Sequence, residues 1–97
     1  VNVVPITLIG KPGCHLCDDA RAVIEQVREE LAAGGQETTL VERNILEDEA
    51  LARKHSEEIP VVLVGTKRHA MWRVDAAKLS RAIERQALGP LARLRRG

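Results

Sequence analysis

The chain has 97 residues, a formal charge of +1 and 44% hydrophobic content, enough for one compact core and too little for two domains of ordinary size. Charge so close to balance excludes a polyanion held by overall electrostatics, and with Trp72 as the single aromatic residue no row of rings exists on which bases could stack. No apolar run approaches the roughly 20 residues that cross a bilayer, and the first residues lack the basic segment of a secretory signal, so the expectation is a cytoplasmic monomer with neither a nucleic-acid nor a membrane partner.

Residues 3–9 are rich in Val, Ile and Thr and run into Gly10-Lys11-Pro12-Gly13, which reads as a buried strand followed by a turn-forming loop. Pro5 lacks an N–H, so pairing is expected to begin near Ile6. From His15 onward Leu16, Ala20, Val23, Ile24, Val27 and Leu31 recur at spacings of three and four, the pattern of an amphipathic helix of about five turns. Asp18 and Asp19 suit its positive end and Gly34-Gly35 supplies its stop.

The β-branched, alternating stretch 38–43 predicts a second strand. A short charged helix follows over 47–55, with Leu46, Ala50 and Leu51 expected to face inward. Residues 61–64 form a continuous apolar run between Pro60 and Gly65, as in a central strand covered on both faces. The turn 65–67 leads into a hairpin partner over 68–72, within which alternation does not assign a face to His69 or Met71; Trp72 reads as a packing residue. Asp75 is a good N-cap for a last helix carrying Ala76, Leu79, Ile83 and Ala87 on one face. That helix is expected to stop at Gly89-Pro90, leaving a domain over 1–88 and a solvated basic tail over 89–97 with Arg93, Arg95 and Arg96. The order is β-α-β-α-β-β-α, an α/β chain whose first two strands pair in parallel and whose hairpin adds an antiparallel partner, a four-stranded mixed sheet.

Two cysteines stand three apart, Cys14-His15-Leu16-Cys17, where a strand has ended and a helix begins; that context gives a C-x-x-C its meaning as a redox pair. The thiolate is the nucleophile, and Cys14 at the helix start would meet unpaired N–H groups and the positive dipole end. Lys11 and a protonated His15 would add to this, Asp18 and Asp19 would oppose it, and His15 reads equally well as facing solvent. Cys17, one turn on, would be the more buried thiol and would attack a mixed disulfide formed at Cys14. Two other readings are open: a pair of small buried hydrophobes, or half of a tetrahedral zinc site. The second would require His55 and His69 to converge without any ligand spacing to suggest it, so no metal is expected. His55 suits the negative end of the short helix.

With Lys11 ahead of the pair, Cys14 and Cys17 at the helix start, Ile59-Pro60 before the third strand and Asp75 opening the last helix, the chain resembles glutaredoxins, and most closely the short bacterial glutaredoxin-like proteins. The resemblance spans 3–87. It implies a thioredoxin-like fold, its sheet flanked by helices, and a cis-proline at Pro60 that turns the backbone of Ile59 towards an extended substrate. It also implies Lys11, His15, Ile59, Pro60 and Asp75 as substrate-binding positions. Two departures stand out: His15-Leu16 lies between the cysteines instead of Pro-Tyr or Pro-Phe, and Trp72-Arg73-Val74-Asp75 stands where Gly-Gly lets glutathione approach the backbone. The implied activity is dithiol–disulfide exchange on protein or small-thiol disulfides by Cys14 and Cys17, with no required cofactor and glutathione or another small thiol as one choice of reductant. A redox-inert peptide-binding module and a [2Fe–2S] cluster carrier are the alternatives.

Overall fold

The computed structural model describes residues 3–96, with side chains as far as Gly89. The described residues form four strands and their connecting helices: β1 (Val4–Gly10), α1 (His15–Ala33), β2 (Thr38–Asn44), a 3-10 turn (Ile45–Glu47), α2 (Glu49–His55), β3 (Val61–Val64), β4 (Lys67–Met71) and α3 (Ala76–Arg96). The sheet order is β2-β1-β3-β4, with β1 parallel to β2 and antiparallel to β3, and β3 antiparallel to β4. This is the mixed, four-stranded thioredoxin-like arrangement.

Alternation along the central strands assigns each face of the sheet. Val4, Ile6 and Leu8 of β1 and Val62 and Val64 of β3 pack with Ala20, Ile24 and Val27 of α1 and Leu79 and Ile83 of α3. Ile9 and Val61 point the other way, onto Ile45, Leu51 and Ala52 around α2. Both central strands are therefore covered twice, which is why β3 reads as an unbroken apolar run. Burial on this scale is the main favourable term for a chain this size.

Pairing of β1 begins at Val4, earlier than the expected Ile6: Val4 donates to the Glu37 carbonyl, and Pro5 stands opposite Thr39. Pro5 is tolerated because β3 has already ended at Val64 beside it, and its carbonyl accepts the Gly65 N–H at 2.8 Å. The short helix starts at Glu49, two residues later than expected, because the Asp48 carboxylate caps it through the N–H groups of Ala50 and Leu51. The preceding 3-10 turn rotates Ile45 inward and leaves Leu46 71% exposed. Ala50 and Ala76, also expected inward, are exposed, while Leu51 is half-buried.

Helix α1 ends as the glycine pair predicts, with Gly35 at φ 95° and the Gln36 N–H closing onto the Leu31 carbonyl at 2.8 Å. The last helix is broken at Gly89, where φ is 70° and the backbone is not helical; what differs from the expectation is the stretch beyond it, which is helical again as far as Arg96. The side chains of Arg93, Arg95 and Arg96 lie outside the described residues. No helix among the described residues is long and apolar enough to cross a membrane.

Candidate active site

One row of residues, Arg43, Ile9, Val61 and Met71, crosses the four strands near one end of the sheet. The loop 11–13 leaves β1 at that end and delivers the chain to Cys14; Ile59 and Pro60 precede β3 there; and β4 passes through Trp72 to Asp75 at the start of α3. Topology thus gathers the cysteine pair, Ile59, Pro60 and Asp75 at one edge, with β3 and its leading loop between the cysteines and Trp72.

Cys14 is the N-cap of α1, in extended conformation, and its Sγ accepts the Cys17 N–H at 3.2 Å. Its carbonyl takes the Asp18 N–H at 3.1 Å, which starts the helical ladder. The sulfur therefore sits where a serine or aspartate oxygen usually caps, among N–H groups with no partner inside the helix. Cys14 is partly exposed and Cys17 is 1% exposed. Both are free thiols.

Burial first, and then the neighbouring Cys14 sulfur, push the Cys17 thiol from 9.0 up to about 11; the Lys11 backbone N–H and the Arg21 charge act in the opposite sense and do not offset this. Gly10 makes the seat for this sulfur. A Cβ at that position would stand 2.7 Å from Cys17 Sγ, so the close approach of strand to helix needs a residue without a side chain. A cavity of about 190 Å³ opens on the β2 side of Cys17, bordered by Lys11, Arg21, Glu42 and Arg43. Arg21 closes part of its rim: it holds Glu42 at 2.7 Å and Asp18 at 2.9 Å.

Of the other expected positions, Lys11 and His15 are exposed beside the pair, and Ile59 is half-buried. The Ile59–Pro60 peptide bond is cis, and Pro60 is buried with its carbonyl accepting the Trp72 N–H at 2.8 Å. Asp75 is an exposed cap: its carboxylate accepts the Lys78 N–H at 2.9 Å, which holds the acid below the usual carboxylate range. Neither Ile59, Pro60 nor Asp75 borders the cavity beside Cys17.

Glu58 and Arg68, not singled out in the sequence, also shape this edge. Glu58 ties both sides of the Ile59–Pro60 loop, with one oxygen 3.2 Å from His55 Nδ1 and the other accepting from Arg68 at 3.0 Å. Arg68 first, then His55, hold its carboxyl below the usual range. His55 is 6% exposed, a structural partner at the end of α2. An acid directly before Ile-Pro was the available signal for Glu58. Trp72 does not pack inside as expected: it is 51% exposed, because a positive φ of 68° at the end of β4 turns it outward. His69 is half-buried, and burial lowers its imidazole below the ordinary value. Among the described residues no three His, Cys, Asp or Glu side chains group as a metal site would require.

Residues 5–84 match the sequence profile of the glutaredoxin-like domain (DUF836). The chain belongs to that family. No curated protein matches it. Among solved structures, this glutaredoxin-like chain is similar to a structural-genomics target from X. campestris, with 28% identity over 82% of this chain and 96% of that one and a TM-score of 0.62. It is also similar in fold to a protein from Nitrosomonas europaea, at 20% identity, 84% and 93% coverage and a TM-score of 0.65. Chloroplastic thioredoxin z shares the fold at 18% identity, 90% and 80% coverage and a TM-score of 0.70. A thioredoxin-like fold with neighbouring cysteines at a helix start is compatible with redox chemistry.

Proposed function

We propose that the chain is a thiol–disulfide oxidoreductase in which Cys14 is the attacking thiolate and Cys17 the resolving thiol. The observation that carries this reading is the pairing of one reachable sulfur with one buried one. Cys14 caps the helix and accepts the Cys17 N–H at 3.2 Å, while Cys17 is 1% exposed and sealed against Gly10. Donors at a helix start stabilise negative charge on the acceptor they face.

In the first step the Cys14 thiolate attacks a substrate disulfide. A bond forms between Cys14 and one half of the substrate, the substrate S–S bond breaks, and the other half leaves as a thiolate. In the second, Cys17 loses its proton to a solvent base and its sulfur attacks Cys14 Sγ; the mixed disulfide breaks and the second half leaves. The dithiol has given two electrons to the substrate and become the Cys14–Cys17 disulfide. A thiol reductant outside the chain, glutathione, another small thiol or a thioredoxin-reductase system, returns them. The backbone of Ile59 next to Pro60 offers pairing to an extended substrate, Lys11 and His15 border Cys14, and Asp75 serves first as the cap of α3.

A redox titration of the purified chain tests the reading. Between about −120 and −300 mV the thiol pair should pass through one two-electron transition, absent in Cys14→Ser, and Cys14→Ser should also abolish reduction of a model disulfide. A chain that closes no internal disulfide anywhere in that range is not an oxidoreductase of this kind.

A further inference from the structure

We infer that Trp72 is a specificity-determining residue of the exchange reaction, selecting disulfides carried in a polypeptide with an apolar residue beside the cysteine over small-molecule disulfides. The inference rests on the proposed exchange at Cys14 and adds the class of substrate.

Trp72 has φ 68°, in the left-handed region that bulky side chains rarely enter. The Arg73 N–H closes onto the Met71 carbonyl at 2.8 Å across it, a γ-turn of the rare, strained form with a positive central φ. Glycine would make this turn without strain. The indole contributes little to the core in return, since the residue is 51% exposed. A strained backbone carrying a large exposed side chain, when the fold does not need it, points to function.

The ring is held in place. The Trp72 N–H donates to the Pro60 carbonyl at 2.8 Å, and the indole Nε1–H donates to the Glu57 carbonyl at 3.1 Å. Both acceptors belong to the loop that carries Ile59, so the indole is fixed against the strand start that faces the cysteine edge. β1 and β4 run out at the end of the sheet where β3 starts, on either side of it, so a chain extended along Ile59 lies between the segment that leads to Cys14 and the one that begins with Trp72. Strands are about 4.8 Å apart, so the ends of β1 and β4 stand about two strand spacings apart, a span that a residue next to the reacting cysteine bridges. Met71, 38% exposed, precedes Trp72 in the chain. A rigid, pre-placed ring with an apolar face gains contact area at little cost in conformational freedom when an apolar side chain lies on it. A small disulfide lacking that side chain gains none of it.

The test uses the reduced full chain, Trp72→Gly and Trp72→Phe, each mixed with two oxidants: a short peptide whose leucine-flanked cysteine is in mixed disulfide with thionitrobenzoate, and bis(2-hydroxyethyl) disulfide. The ratio of the two second-order rate constants, peptide over small disulfide, should fall about tenfold in Trp72→Gly, a difference of the size one good apolar contact gives, and recover in Trp72→Phe. A structural defect would lower both rates together and leave the ratio unchanged, which overturns the inference while the exchange reading stands. If the unsubstituted chain reacts with neither oxidant, the exchange reading fails and this inference falls with it. Trp72 is the single tryptophan, so a Cys17→Ser chain trapped on the leucine peptide should emit at shorter wavelength than one trapped on 2-mercaptoethanol. Identical spectra would also overturn the inference.

Discussion

The backbone N–H of Cys17 donates to the Sγ of Cys14 at 3.2 Å, so the sulfur proposed to react is also the cap of the helix that carries its partner. Chemistry and helix start are thereby joined in one atom. Hydroxyl side chains are the better caps, which separates the two roles by substitution.

Cys14→Ser should remove exchange and keep the cap, whereas Cys14→Ala removes both. The serine variant is expected to be more stable than the alanine variant by about 1 kcal/mol, read from urea unfolding under reducing conditions. Equal stability of the two would mean that Cys14 Sγ does not cap α1 in solution.

The buried thiol predicts a pH dependence whose sign follows from its direction of shift. Folding raises the Cys17 thiol from 9.0 to about 11, so the native state holds this proton more tightly than the unfolded chain. The stability it contributes is complete below about pH 9 and is lost as pH rises towards 11, a fall of about 3 kcal/mol at most. Unfolding of the reduced chain at a series of alkaline pH values should show this loss, and Cys17→Ala should show less of it. Parallel curves for the two proteins would remove the case for a sealed resolving thiol.

Two carboxylates act at the other end of the scale. Glu58, held down by Arg68 and then His55, and Asp75, held down chiefly by the Lys78 N–H, both have folded values below the ordinary range. Their contribution is present above that range and is lost as pH falls through it. The urea midpoint should therefore decline on acidification, and Glu58→Gln should flatten the decline. Asp75→Asn should flatten it too while keeping a capped helix, because asparagine caps about as well as aspartate. A Glu58→Gln chain that loses stability with acid as steeply as the original would show that the tie across the Ile59–Pro60 loop is not made.

The elements that carry the site could be read from local pattern alone. Ile24 and Val27 recur at helical spacing and are buried in α1; residues 61–64 read as a strand covered twice, and the two faces of the sheet account for it. What local pattern could not reach depends on where distant segments meet. The contact of Arg21 with Glu42 spans 21 positions and has no local signature. Ile45 and Leu46 are equally apolar, and only the 3-10 turn decides that the first is buried and the second exposed. Trp72 was misread for a related reason: residue type suggests burial, and the positive φ that turns it outward is invisible in composition. The two cysteines were legible as a pair, yet the partner that fixes the depth of Cys17 is Gly10, which the sequence presents as one more loop glycine.

That glycine yields the sharpest structural test. In Gly10→Ala the new Cβ would lie 2.7 Å from Cys17 Sγ and 3.3 Å from Cys17 Cβ, a distance that neither the strand nor the first turn of α1 absorbs without moving. Overpacking of this kind costs about 1–3 kcal/mol, and the first group displaced is the resolving sulfur. Gly10→Ala should therefore lower the urea midpoint and slow closure of the Cys14–Cys17 disulfide, while initial attack by Cys14 on a small disulfide is affected less. Combining it with Cys17→Ala removes the closer of the two clashes and leaves the weaker one, so part of the lost stability should return. A double-mutant cycle reads this directly: the coupling should be favourable by about 1 kcal/mol, within the range found for residues in contact. Simple additivity of the two substitutions would mean that Gly10 and Cys17 do not touch, and the account of how the fold buries its second thiol would be wrong.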